Sequence, residues 1–223
     1  MAHTESRAVR MQGVRKKILD TAKKLFSEQG YKKTTIRQIV QESGITSGSI
    51  YNLFENKDAV FSAIIDDLMG ATVCLAEKHF PGEEPIYQYA AIMALEWFAI
   101  EKDAVLRELY YVAYAEPALF ENVVKRHLEL EARFFGPEDL LDMERPEEQH
   151  ARMLLSKGAM LSYIESFFFK SPLTARAIRR ELTMLTFISL GVKKREIRDI
   201  IRFIEAAEEK CAAVAPQMLS ADL

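Results

Sequence analysis

Residues 34–57 read TTIRQIVQESGITSGSIYNLFENK, and their spacing predicts two short helices separated by a glycine turn, a helix-turn-helix. Thr35 and Gln38 form the T-x-x-Q pattern of a capping box, in which each residue satisfies a backbone N–H of the other. The helix that starts there carries Ile36, Ile39 and Val40 inward and ends at Ser43, because Gly44 supplies the positive φ that closes it. Thr46 caps the second helix, whose Ile50, Leu53 and Phe54 share one face at i, i+3, i+4. The opposite face presents Gly48, Ser49, Tyr51 and Asn52. Small polar groups, one amide and one phenol offer base edges donors and acceptors with little bulk, and the free N–H groups of a helix start suit phosphate. The candidate DNA-binding set is Thr35, Arg37, Thr46, Ser47, Gly48, Ser49, Tyr51, Asn52 and Lys57.

Ahead of this stretch, Val14, Ile18, Leu19, Ala22, Leu25 and Phe26 fall at helical spacing and predict a first helix over 14–29, ended by Gly30. Beyond it, a long helix from Asp58 to about His79 continues without a Pro- or Gly-rich linker, and Lys57 at its start is placed to meet phosphate. The division is therefore set at residue 57, with a DNA-binding domain over 1–57 and a larger helical domain over 58–223. Charge follows the same division. Residues 1–60 hold 11 Lys and Arg against 6 Asp and Glu, a net +5, and the remainder hold 19 against 27, a net -8, within an overall -3. Arg15, Lys16, Lys17, Lys23, Lys24, Lys32 and Lys33 read as phosphate neutralisation or as the solvated face of the first helix, and the acidic remainder repels DNA.

Arg15, Ile18, Leu19, Ala22, Leu25, Phe26, Gly30, Tyr31, Thr34, Thr35, Ile39, Gly44, Ile45, Thr46, Gly48, Ile50, Tyr51, Phe54, Asn56, Lys57 and Val60 stand at spacings that resemble the TetR family of bacterial transcriptional regulators. The resemblance covers about the first 60 of 223 residues. Two positions depart from it. Val40 stands where the family places a small alanine between the crossing helices, and Leu53 replaces a histidine or tyrosine that would touch phosphate. The resemblance implies a homodimer on a palindromic DNA operator, most often a repressor. It also implies an effector in the second domain that tilts the helix starting at Asp58, spreads the recognition helices and releases the DNA. The alternative is a structural or partner-regulated DNA-binding protein of the same fold without a small ligand.

Other classes lack their signatures. At 223 residues and 49% hydrophobic, the chain can bury one or two cores. Strand alternation is nowhere sustained, so the fold class is all-α. Cys74 and Cys211 are too few for a disulfide framework and fit free thiols in a reducing cytoplasm. No uninterrupted apolar run reaches about 18 residues and the start lacks an apolar signal core, so neither a membrane span nor a secretion signal is expected. No nucleotide-binding glycine motif, nucleophile elbow or metal-ligand spacing is present. The expectation is no enzyme, no cofactor and no metal site, with His79, His127 and His150 at the surface or capping helices.

The second domain reads as further helices over 86–101, 103–115, 119–135, 149–170, 174–190 and 194–213, with loops over 80–85 and 136–147. Pro117 separates the third from the fourth of the domain. The 149–170 helix is apolar on nearly every side toward its end, which implies burial from two directions. Gly158, Ser162 and Ser166 recur at i, i+4, i+8 and allow a close helix approach. The next helix is expected to bury Ile178, Leu182, Leu185 and Ser189 on one side and to leave Met184, Phe187 and Ile188 for a two-fold partner. The candidate interface is Gly158, Ser162, Ser166, Leu182, Leu185 and Ser189. The helix over 194–213 is apolar on one face and lies outside. For an effector the candidate lining is Met93, Glu96, Trp97, Tyr110, Tyr114 and Tyr163, with Tyr111, Phe120 and Met160 nearby and Arg107 and Glu165 as further polar groups. Such an aromatic stripe also serves as plain core. Glu96 inside AAIMALEWFAI stands out, since a charge on an apolar helix must meet water, a partner or a ligand.

Overall fold

A computed structural model describes residues 2–136, 145–170 and 172–219, and all regular elements among them are helices. The chain divides into two compact units, Met1–Asp66 and Asp67–Leu223.

The first unit holds α1 (Ala2–Gln29), α2 (Ile36–Ser43), α3 (Ser47–Tyr51) and the start of α4 (Lys57–His79). α1 begins well before Val14. The residues ahead of it carry no apolar period in sequence, and Val9 is exposed there. Gly30, at φ +83°, closes α1 with its N–H on the Phe26 carbonyl at 3.0 Å. Ile18, Leu19, Phe26, Ile39, Ile50, Val60, Phe61 and Ile64 are buried. The rings of Phe26, Tyr31 and Phe61 pack within 5.0–5.4 Å of one another. This cluster keeps the first turns of α4 with the first unit, and the units part at 66/67 instead of at residue 57.

In the second unit, α5 (Pro85–Lys102) is the axis: twelve consecutive residues from Tyr89 to Ile100 are buried. Around it lie α6 (Ala104–Ala115), α7 (Pro117–Phe134), α10 (Lys194–Ala206), α11 (Glu208–Val214) and a 3-10 turn (Ala215–Leu219), while α8 (Pro146–Glu165) packs on α6, α7 and α9 (Ala175–Ser189). Pro85, Pro117 and Pro146 each open a helix, where the missing N–H costs nothing. Asp103 caps α6 through Val105 and Leu106 at 2.8 and 2.9 Å.

Besides the early starts of α1, α7 and α8, the end of α8, the last helix and the facing of α9 differ from the sequence expectation. α8 stops at Glu165, where the Ser166 N–H turns back to the Ser162 carbonyl at 3.1 Å. The helix expected over 194–213 breaks at Ala207, so that Cys211, Val214, Ala215 and Met218 bury as a second piece. α9 is rotated. It buries Leu182, Thr183, Thr186 and Phe187, while Leu185 and Ile188 are 47% and 44% exposed. Of the loop expected over 136–147, residues 137–144 lie outside the described residues. α4 is long and apolar enough to cross a membrane by length and composition. Within the two units Val60, Phe61, Ile64, Leu68 and Ala71 of that helix are buried in protein.

Candidate nucleic-acid interface and second-unit core

The capping box is complete. Thr35 N–H donates to the Gln38 side-chain oxygen at 2.8 Å and Gln38 N–H to the Thr35 hydroxyl at 3.2 Å. Gly44, at φ +62°, returns its N–H to the Val40 carbonyl at 3.1 Å and ends α2. Ser43 braces the turn, accepting from Ile45 N–H at 3.3 Å. Thr46 accepts from Ser49 N–H at 3.3 Å, and its hydroxyl lies 2.9 Å from that of Ser49. Ile50 and Phe54 anchor α3 from below, whereas Leu53 and Val40 are only half-buried. The face away from the core presents Thr46, Ser47, Gly48, Tyr51 and Asn52 exposed and Ser49 half-buried. Thr35 and Arg37 are exposed at the start of α2.

Lys57 lies elsewhere than at a free edge. Its ammonium sits 4.0 Å above the Tyr31 ring and donates to the Tyr31 carbonyl at 2.8 Å. The Tyr31 hydroxyl donates to Asp58, so one tyrosine ties the turn after α1 to the first turn of α4. Asn56 starts α4 by accepting from Ala59 N–H at 2.8 Å.

The effector candidates divide in the second unit. Met93, Glu96, Trp97, Tyr110, Tyr114 and Tyr163 are all buried. The Tyr110 hydroxyl approaches Glu96 at 3.5 Å, and the Tyr110 and Tyr114 ring centres lie 6.4 Å apart. Tyr163 instead donates to Glu101, which also pairs with Arg179. Arg107 is occupied in closing α5, with bonds of 2.8 Å to the carbonyls of Ile100 and Glu101, and Glu165 is exposed. Neither orients a group in this core.

Partners that sequence reasoning missed surround Glu96. His127, expected at the surface, is buried, with Nε2 3.6 Å from the Glu96 carboxylate and Nδ1 2.9 Å from the Val123 carbonyl. Lys157 is also buried. One helix turn beyond His127, Glu131 accepts from both terminal nitrogens of Arg152 at 3.1 and 2.8 Å and from the Tyr89 hydroxyl at 3.4 Å. Burial alone would raise the Glu96 pKa, yet His127, Lys157 and Tyr110 hold it below the ordinary carboxylate value. Burial lowers Lys157, against the pull of Glu96 and Glu131. The i, i+4 pair His127 and Glu131 on an otherwise surface-patterned helix was the available signal. A period-based reading assigns such residues to solvent.

The interface candidates are also sorted by the fold. Gly158 and Ser166 are half-buried, Ser162 is exposed, and Leu185 is exposed with Leu154 and Leu155 of α8. Leu182 is buried inside its own unit, and the Ser189 hydroxyl bonds the Thr186 carbonyl at 2.7 Å. Cys74 and Cys211 are free thiols, and burial pushes the Cys211 thiol up to about 12.

A capped helix, a tight glycine turn and a second short helix with an exposed polar face define a helix-turn-helix unit. Residues 18–64 match the family model "Bacterial regulatory proteins, tetR family". Over those residues the chain is similar to the amino-terminal domain of the TetR family. It is 42% identical over 62 residues to the HTH-type transcriptional repressor KstR2 of Rhodococcus jostii, covering 26% of this chain and 30% of that protein. It is 36% identical over 75 residues to the HTH-type transcriptional regulator AcrR of Shigella flexneri, covering 32% and 35%. These alignments thus span about a third of the curated relatives. The fold likeness is longer. The crystal structure of full-length TylP, a TetR regulator from Streptomyces fradiae, aligns over 91% of this chain and 98% of its own with a TM-score of 0.56 at 17% identity.

Proposed function

We propose that this protein is a cytoplasmic DNA-binding transcriptional regulator that acts as a homodimer on a palindromic operator. As a repressor it releases that operator when a small, mainly apolar effector binds the second unit. The observation that carries the reading is the face of α3, where Ser47, Gly48, Tyr51 and Asn52 are exposed while Ile50 and Phe54 fix the helix from below. Asn52 suits an adenine edge, and Tyr51, Thr35 and Arg37 suit phosphate. The net +5 over residues 1–60 supplies the sequence-independent part of the attraction.

A two-fold partner is supported by Leu154 and Leu155 on α8 and Leu185 and Ile188 on α9, which leave an apolar surface around the small residues Gly158 and Ser162. Effector action would be a population shift. A ligand moves the equilibrium only by its difference in affinity for the DNA-binding and released forms. The burial of all six candidate lining residues also favours a second reading, in which this is closed core and the regulator answers a protein partner.

Selection of bound duplexes from a random pool tests the function. A palindromic sequence bound by two chains, with half-sites about one helical turn apart or somewhat more and affinity falling steeply with salt, is expected. Sequence-independent binding, or one chain per site, would refute it.

A further inference from the structure

In the second unit the start of α5, the end of α7 and the turn from α9 to α10 meet around a cleft of about 360 Å³. Pro85 opens α5 on one side. On the other, Gly191, at φ +83°, donates its N–H to the Ile188 carbonyl and Val192 donates to the Phe187 carbonyl, both at 2.9 Å, which fixes the turn. Ile86, Phe134, Phe135, Leu190 and Val192 give the cleft apolar walls, and Glu84, Lys193 and Glu196 give it charge. The Phe135 ring stands edge-on to Tyr89 with centres 5.2 Å apart, so this wall is braced by the buried core. The volume falls in the range of small-molecule sites, and walls built from hydrogen-bonded helix ends need little ordering on binding.

We infer that this cleft binds a lipophilic amine, an aromatic body that carries one ammonium group. The inference deepens the effector reading, and rests on that reading for any consequence at DNA. Charge sets the sign of the ligand. Two carboxylates line the cleft against one ammonium, that of Lys193, and among the described residues neither Glu84 nor Glu196 makes an ion pair. Glu83 adjoins Glu84, and Asp199 follows Glu196 by one turn of α10. The Tyr87 phenol, one turn into α5, is raised by burial and then by Asp199, Glu196, Glu84 and Glu83, and no cation among the described residues offsets them. Arg133, near the Phe134 ring, is already paired with Glu77. The starts of α5 and α10 favour an anion, but Glu84 and Glu196 supply it from the chain itself. A second anion would therefore meet an excess of negative charge. An ammonium gains from both carboxylates and from the aromatic wall, while its apolar body covers Ile86, Leu190 and Val192.

The test titrates the full chain by calorimetry with two matched probe series, on naphthalene and on biphenyl, each as the aminomethyl, hydroxymethyl and carboxylate compound. The amine of a series that binds should bind about fivefold or more tighter than its alcohol, and the carboxylate should bind weakest. Raising salt to about 0.5 M should narrow that margin. Glu84→Gln combined with Glu196→Gln should erase the margin and leave the alcohol unaffected. Val192→Trp, at a half-buried position, fills the cleft and should abolish binding of every member, with a retained melting transition showing that the chain is folded. An alcohol or carboxylate that binds best, a margin unchanged in the double variant, or binding that persists in folded Val192→Trp overturns the inference. Failure of every probe to bind overturns it too, and leaves the effector reading standing on release of DNA by other compounds. An amine held in the cleft that leaves the affinity for selected operator DNA unchanged upholds the site and refutes its link to regulation.

Discussion

Lys57 stands over the ring of Tyr31 and holds that residue's carbonyl, at 4.0 Å and 2.8 Å. The lysine that a sequence pattern assigns to phosphate therefore also closes the first unit, joining the turn after α1 to the start of α4. Lys57→Ala should lower the thermal stability of the free protein as well as its affinity for DNA. In a double-mutant cycle with Tyr31→Leu the two losses should couple by about 1 kcal/mol. Unchanged melting, with a salt slope reduced by about one charge, would show that the ammonium serves phosphate alone.

Asn52 and Tyr51 differ in what they can read. Asn52→Ala should relax preference at one base position by roughly 1–3 kcal/mol, whereas Tyr51→Phe should weaken all duplexes alike. Equal loss on operator and random DNA for Asn52→Ala would remove it from base reading. Both side chains are exposed, so neither change should disturb folding.

On α9, neighbouring turns separate assembly from stability. Leu185→Glu and, on α8, Ser162→Arg should give folded monomers that no longer bind operator, since an unpaired charge is intolerable in an apolar contact. Leu182→Glu should instead destabilise the subunit itself, because Leu182 packs inside it. Light scattering beside thermal melting distinguishes the outcomes. A Leu185→Glu protein that stays dimeric would place the interface elsewhere.

The buried Glu96 carries a pH signature. Its folded pKa is held below the ordinary carboxylate value by His127, Lys157 and Tyr110 against the raising effect of burial. Charge on Glu96 thus contributes stability that is present above the unfolded carboxylate pKa and is lost as pH falls through the lower folded value. Lys157 acts at the other end. Its folded pKa is lowered, so its charge costs stability at neutral pH and the cost is relieved as pH rises between the folded and unfolded values. Urea midpoints measured from about pH 3 to 7 should fall on acidification. Glu96→Gln should flatten that fall and be less stable at pH 7 by roughly 3 kcal/mol, having left buried cations without their partner. An acid limb of unchanged steepness in the variant would refute the assignment.

The sequence alone determined the elements whose signals are local. A capping box, a left-handed glycine and an i, i+3, i+4 apolar triplet are each complete within a few residues, so α2, the turn and α3 were legible from Thr35 to Phe54, as was the all-α character of the chain. The helix starts at Pro85, Pro117 and Pro146 carry a signal of the same local kind, yet the spacing placed them at 86, 119 and 149. Tertiary structure decided matters in which a residue's role depends on distant partners. Periodicity marks that α9 has an apolar face but not which 100° of it turns inward. Leu182 and Phe187 were claimed by the core and Leu185 was left out, reversing two of the three assignments. Lys57 reads as a surface cation until Tyr31, far back in sequence, arrives beneath it. His127, Glu131 and Lys157 are polar residues that a sequence assigns to solvent, and only the packing of α7 and α8 near α5 removes them from water and gathers them about Glu96. Burial of a charge is a property of its neighbours in space, and a period of 3.6 residues carries no record of them.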